Sequence, residues 1–472
     1  MPIVPFFIVT EDRHEARLDN MQLPWQDHPL TELRRISWPI AVSMVSYSVM
    51  TLVDTILVGH VGRAQLAGVG LAGVTAFLLL CFSMGMLRAA NTLVAQAVGA
   101  NRPDEAQAIL GAGLAAAMGL GVATIAAGQV VGALLPHFTA TSEAGDAARV
   151  YMRIRILGAP LALMFAALRE VCYGRGESRA PMLASIFANV VNIALAYLFI
   201  FVLGRGVAGA ATATVIAHGA ELGFLALSQM ATWGDFGLRA WGRRHLRALV
   251  RVGLPLGLQF TLEVGSFALL SFLISLMSEV EMAAHQIALQ IIHFSFMPAF
   301  AVAEGVAVLT GQAVGADRDD LVMPVAKLAT VVASFYTGTC TVLLILGSPL
   351  LVSGFTSDAA VVRSAVSLLH IAAAFQVIDA ANMVARGALR GAGDVRYPAV
   401  VGVVVSWVST PPLCWLLGYR LGLGARGGWL GICLEVTVGA TLMWWRLKSR
   451  RWAGAAVTAR ARLTGSGRIA AA

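Results

Sequence analysis

Charge is what this chain has least of. Only 13% of its 472 residues are Asp, Glu, Lys or Arg, about half of the roughly 25% usual in soluble domains. Lysine is nearly absent, confined to Lys327 and Lys448. Long hydrophilic segments are missing too, so no loop is large enough to be a nucleic-acid-binding module. The formal net charge of +8 therefore reflects membrane topology and anionic lipid. The five cysteines (Cys81, Cys172, Cys340, Cys414, Cys433) lack metal-ligand spacing and read as small apolar residues. Strand-like alternation is absent, which excludes a transmembrane barrel. The opening MPIVPFFIV is apolar but short and has no basic start; it does not read as a signal peptide and is expected to be a disordered tail.

Apolar length is what the chain has in abundance. Hydrophobic residues make up 58% of it and mean hydropathy is +0.76. Runs of about 20 apolar residues, enough to cross a bilayer as a helix, recur about twelve times. The expected spans are 35–60, 65–98, 104–134, 147–173, 179–203, 207–232, 248–277, 282–314, 320–350, 361–389, 396–419 and 428–446. Arginines gather in the tails, in the segment around Arg239–Arg251 and in alternate loops, which predicts cytoplasmic termini and an even span count. This gives an N-terminal tail (1–33), an N-lobe (34–232), a linker (233–247), a C-lobe (248–446) and a basic C-terminal tail (447–472). The linker, rich in Trp and Arg, reads as solvated, with an amphipathic interfacial helix as the other reading. The stretch after Trp452 reads as disordered.

The chain repeats itself. QAVGA stands at Gln96–Ala100 and again at Gln312–Ala316, an offset of 216 (312 − 96). Pro39 and Pro255 share that offset, as do Ala67 and Ala283. GRGESRAP (Gly174–Pro181) faces GAGDVRYP (Gly391–Pro398) at 217. A duplicated apolar half predicts two related six-helix bundles around a central site, the architecture of a transporter. The fold class is therefore an all-α membrane protein of twelve helices in two pseudo-symmetric lobes. Gly99 and Gly315 are read as helix C-caps before polar turns.

An ionisable group at membrane depth is costly, so each one is a candidate site residue. Glu263 lies twelve residues past Arg251 and Asp379 eleven before Arg390, or ~18 Å and ~16 Å along a helix. These two matching depths in one lobe suggest a shared cavity that binds a sodium ion or holds a proton. Asp54 lies deeper, and no acid stands at its repeat mate, Leu270. Glu304, Glu435 and Glu221 are further candidates, Glu304 the first of them. Arg88 needs an acidic partner, and Glu170 is expected to snorkel to the headgroups. His218, His285 and His293 do not make a metal set and read as hydrogen-bonded core histidines. Pro39 and Pro255 are candidate hinges, because a bend at Pro39 is able to move Asp54.

VDTILVGHVG in the first span, AHQIALQI (Ala284–Ile291), the paired QAVGA turns and LRGAGDVRYP (Leu389–Pro398) together resemble the multidrug and toxic compound extrusion (MATE) family, over about residues 30–446. The match is closest to the NorM-type branch. The resemblance implies a V-shaped pair of six-helix lobes and antiport of organic-cation drugs against Na⁺ or H⁺ by alternating access. It implies no cofactor and no structural metal. Carried over residue by residue, Asp54, Glu263 and Asp379 fall on the branch's acidic positions. Phe375 stands where the branch's cation site tends to have a tyrosine, and it has no hydroxyl to offer. The expected partners are cationic or amphipathic small molecules and membrane lipids, without nucleic acid; the expected state is a monomer in the bacterial inner membrane. The alternative is a flippase for lipid-linked saccharides, whose cavity would be lined by arginines. A membrane-embedded enzyme would need a catalytic His/Asp cluster in a loop, and no loop carries one.

Overall fold

The computed structural model describes residues 23–464. Within them lie twelve helices long and apolar enough to cross a membrane. They are α1 (Pro29–Gly59), α2 (Arg63–Gly99), α3 (Pro103–Phe138), α4 (Ser142–Gly174), α5 (Arg179–Val202), α6 (Gly206–Trp233), α7 (Arg243–Ser275), α8 (Glu279–Gly315), α9 (Asp319–Ser353), α10 (Ala359–Gly391), α11 (Arg396–Arg420) and α12 (Ala425–Lys448). A shorter α13 (Ala453–Leu463) follows. No strand occurs among the described residues. The duplication is visible in local chemistry. Thr141 caps α4 by accepting from the Ala144 amide, and Asp358, 217 residues on, caps α10 by accepting from Ala360. Spans α5 and α11 both finish in a π-helical turn, Leu198–Val202 and Cys414–Arg420.

The two lobes meet along four helices. In a lipid solvent apolar surface gives little drive to associate, so close backbone approach through small residues carries the contact. Helix α2 crosses α7, where Gly85, Gly253 and Gly257 leave room for facing carbonyls and a Cβ on any of them would collide. Helix α1 crosses α8 in the mirror arrangement, with Gly305 against Ser37 and Leu33. At the centre the two QAVGA segments cross each other. A Cβ on Gly99 would run into the Gln312 carbonyl, and one on Gly315 into the Gln96 carbonyl. This corrects the C-cap reading of these glycines. The left-handed position after each helix belongs instead to Asn101 (φ 53°) and Asp317 (φ 59°), polar residues that tolerate it. Gly99 and Gly315 are there because the helices touch.

These crossings gather at the end of the molecule where the described chain starts, at Leu23, and finishes, at Thr464, here the terminal end. Gln96 Nε2 donates to the Gly391 carbonyl at 2.9 Å, and Gln312 Nε2 reaches the Gly174 carbonyl at 3.5 Å, the same bond in each half. Toward the far end the last inter-lobe contacts include Ser48–Met297 and the Phe77–Phe260 ring pair. Beyond them α1 and α7 carry exposed Leu52, Ile56 and Phe267. The molecule is a V, closed at the terminal end.

Three expectations about the ends need correction. Residues 23–33 are not tail: Leu23 and Trp25 are buried, and Trp25 Nε1 donates to Gln312 Oε1 at 2.7 Å. The segment between the lobes is a largely exposed turn anchored at buried Trp233 and Gly237, not an amphipathic helix. Gly237 (φ 68°) presses on the Gln107 carbonyl, Gln107 holds the Trp233 carbonyl, and α7 already begins at Arg243. The stretch after Trp452 forms α13, whose Ala456, Ala459 and Leu463 are buried. Small residues at three- and four-residue spacing give it one apolar face, a signal the basic composition masked. Residues 1–22 and 465–472 lie outside the described residues.

Candidate functional site

The C-lobe brings its charges together. On α10, Asp379, Asn382 and Arg386 lie three and four residues apart, hence on one helical face. Arg386 Nη1 donates to Glu263 Oε1 on α7 at 2.8 Å, and Gln259 adds a bond to the same oxygen at 3.1 Å. Asp379 lies beside Asn382 and within the electrostatic reach of Arg386, Glu435 and Glu263. Glu435 on α12 is buried and accepts from Thr410 of α11. Gly402 gives Glu263 its place: a Cβ there would strike Oε1. Three carboxylates share one guanidinium, so with all three ionised the cluster carries a formal −2 (three acids, one base). Glu263 and Asp379 share this site, and Glu435 joins them. Phe375, one turn before Asp379, is buried in the apolar core of the lobe.

The N-lobe holds a second set. Asp54 on α1 lies beside Thr214 of α6 and in the field of Arg155 on α4, with Oδ1 buried and unpartnered. Arg155 Nη1 donates to His218 Nε2 at 2.9 Å, so that nitrogen is an acceptor and the ring hydrogen sits on Nδ1, 3.5 Å from Glu221 Oε2. Ser185 donates to Glu221 at 2.8 Å. A cavity of about 20 Å³, room for one water, opens among Tyr47, Ser185, Asn189, His218 and Glu221. His218 is thus part of a charged network, whereas His285 is a core histidine bonded to Ser271 and Trp429.

Glu304 belongs to neither set, which departs from the expectation that it lines the cation site. It is buried at the lobe interface on α8 and holds two guanidiniums. Arg88 of α2 bonds Oε1, and Arg390 of α10 bonds Oε2 at 2.7 Å. Asn91 Nδ2 lies 3.4 Å from Oε2 and 3.5 Å from Glu170. With both oxygens taken, Glu304 has none free for a mobile cation. Glu170 does not snorkel; it is buried and pairs with Arg169 at 3.0 Å. Arg88 finds the acid it needs, and that acid stands at its own repeat mate (88 + 216 = 304).

Arg155 and Arg386 were missed by sequence reading. The rule that singled out Arg88 applies to both: each is an arginine inside an apolar span, and Arg386 follows Asp379 by two helical turns. Pro39 and Pro255 lie inside α1 and α7. Pro39 leaves the Arg35 carbonyl without its helical N–H, and Ser178 Oγ donates to that carbonyl at 3.4 Å. Among the described residues no group of three or more His, Cys, Asp or Glu is spaced to hold a metal ion.

Twelve spanning helices in two duplicated lobes, with buried charge in each and an ion-paired seam between them, define a membrane transporter rather than an enzyme. The MatE family profile matches residues 39–198 and 255–416, one block per lobe. The chain belongs to that family. It is 30% identical over 436 residues to a probable multidrug resistance protein NorM of Acinetobacter baylyi, covering 89% of this chain and 95% of that protein. Solved structures share the fold. A MOP superfamily transporter from Pyrococcus furiosus superposes with TM-score 0.83 at 23% identity, over 90% of this chain and 96% of its own. The eukaryotic MATE transporter AtDTX14 does so with 0.81 at 19%, over 92% and 99%.

Proposed function

We propose that this protein exports organic-cation drugs across the bacterial inner membrane, by antiport against Na⁺ or H⁺. The observation that carries this reading is the surplus of carboxyl groups over guanidinium in the Glu263–Asp379–Glu435 cluster, in the interior of one lobe. Such a site selects cations, and its resident Arg386 acts as a tethered one. A cation arriving from the open far end competes with Arg386 for Glu263. Its differential affinity for the two conformers shifts the lobes. Asp54 offers a second place for a proton, since one of its buried oxygens is unpartnered. The seam at Glu304 holds the terminal end shut in this state, and Pro39 and Pro255 stand where α1 and α7 bend when it opens. Both termini lie in the cytoplasm in this reading, because the unpaired arginines Arg243, Arg247 and Arg251 cluster at the terminal end. The protein works as a monomer, without cofactor.

Ethidium efflux from proteoliposomes, with Na⁺ and H⁺ gradients imposed separately, tests the proposal. Drive by Na⁺ alone assigns coupling to Glu263 and Asp379; drive by H⁺ alone moves the emphasis to Asp54. Failure of both gradients to drive efflux would sink the antiport reading and favour a lipid-linked saccharide flippase. Phe375→Tyr sharpens the test. A hydroxyl one turn from Asp379 adds a ligand oxygen worth ~1 kcal/mol, so half-maximal Na⁺ stimulation is expected at roughly threefold to tenfold lower Na⁺. An unchanged Na⁺ dependence would remove Phe375 from the site.

A further inference from the structure

The duplication reaches into the segments that lead into α1 and α7. Trp25 and Trp241 stand 216 residues apart (241 − 25), each just ahead of the first helix of a lobe. Each tryptophan packs on the opposite lobe. Trp25 precedes the N-lobe and is buried in a core cluster built mainly by α8, α9 and α10 of the C-lobe. Its Nε1 donates to Gln312 Oε1 at 2.7 Å. The neighbouring Gln26 Oε1 accepts from Arg318 Nη1, between α8 and α9, at 2.8 Å. Trp241 precedes the C-lobe and lies on α3 of the N-lobe, where a Cβ on Gly111 would strike its ring and the Gly237 carbonyl. Arg244 and His245, on the first turn of α7, both reach Glu105 of α3, at 2.7 Å and 3.2 Å. Each lead-in segment therefore grips the other lobe across the closed terminal end.

Chain connectivity backs the two grips unequally. Trp241 stands eight residues (241 − 233) past Trp233, the last residue of α6, and Gln107 Nε2 of α3 donates to the Trp233 carbonyl at 3.1 Å. That grip is tied to the N-lobe by backbone as well as by contact, so it stays when the lobes separate and α7 pivots there. Trp25 runs on into α1 of the N-lobe. Among the described residues, Trp25 and Gln26 are held to the C-lobe by packing and two hydrogen bonds.

We propose that the Trp25 segment is a latch that keeps the terminal end closed, and that the Trp241 turn is the hinge about which that end opens. The roles rest on the export reading, in which the terminal end opens to load substrate. Indole suits a latch: its ring buries a large apolar area and its N–H demands an acceptor, so undocking loses both together. Gln312 joins the latch to the central crossing. Its Oε1 accepts from Trp25 while its Nε2 reaches the Gly174 carbonyl at 3.5 Å, so both ends of one C-lobe amide are bonded to the N-lobe.

The test is the distance between spin labels at exposed Asp104 on α3 and Lys327 on α9, measured by electron double resonance on the full chain in nanodiscs. W25A is expected to raise the odds of the longer distance on the order of a hundredfold. W25F keeps a ring in place and loses the bond to Gln312, so the odds rise roughly threefold; its reading stands even if W25A folds poorly. W241A is expected to lower the thermal unfolding midpoint without lengthening the distance. Unchanged distances in W25A and W25F, beside a lengthened one in Glu304→Gln, would overturn the latch and leave the export reading standing. Unchanged distances in all three would overturn the opening of this end as well. Lengthening in W241A to the extent seen in W25A would overturn the hinge.

Discussion

Glu263→Gln and Asp379→Asn, each made alone, are expected to bring gradient-driven ethidium efflux down to the level of empty vesicles while the protein still inserts. The reason is electrostatic. The C-lobe cluster attracts a cation because its carboxylates outnumber its guanidinium, and either substitution halves a formal excess of −2 (to −1) in a medium where charge is poorly screened. Glu263→Gln goes further, since it leaves Arg386 without its 2.8 Å partner and free to compete for Asp379. Glu435→Gln is expected to do less. That carboxylate is already engaged by the Thr410 hydroxyl, which an amide oxygen also satisfies. Arg386→Gln should move the system the other way: the cation binds more tightly and leaves more slowly, so binding by isothermal titration strengthens as turnover falls. Sustained efflux in both Glu263→Gln and Asp379→Asn, at normal protein levels, would refute the assignment.

The scaffold was largely legible, because membrane physics writes helices into sequence as apolar length. Each expected span overlaps an observed one, and the duplication was readable from QAVGA and the glycine-arginine turns. Glu263 and Asp379 were legible for the same reason, as rare charges at matched depth. The arginines were not. Reading acids as functional and arginines as topological hid Arg155 and Arg386, which complete the two networks. Glu304 shows a second limit: depth along a helix does not tell which face a residue presents, and its face turns to the other lobe. Helix α13 shows a third, since its alanine stripe is short and its partners lie elsewhere in the chain.

Glu304→Gln should have the largest conformational effect in the molecule. It leaves half-buried Arg88 and buried Arg390 facing each other across the seam, with Glu170 the remaining acid beside them. Removing one member of a buried ion pair costs ~3–5 kcal/mol, whereas ~2.7 kcal/mol separates two states populated 99:1. The substitution is therefore expected to open the terminal end. Spin labels on Asn101 and Asp317, the matching turns of the two lobes, should report a longer distance by electron double resonance; an unchanged distribution would refute the idea. Arg88→Gln should open the seam less, because Arg390 still holds Glu304 at 2.7 Å. The duplication explains why this seam is fragile. Residues on a two-fold axis meet their own mates. Gln96 and Gln312 remain identical, because each amide bonds a glycine carbonyl, Gly391 or Gly174. A charged position on the axis cannot remain identical without facing its own sign. At 88 and 304 the two halves have diverged to opposite charges, and the closed state rests on that difference.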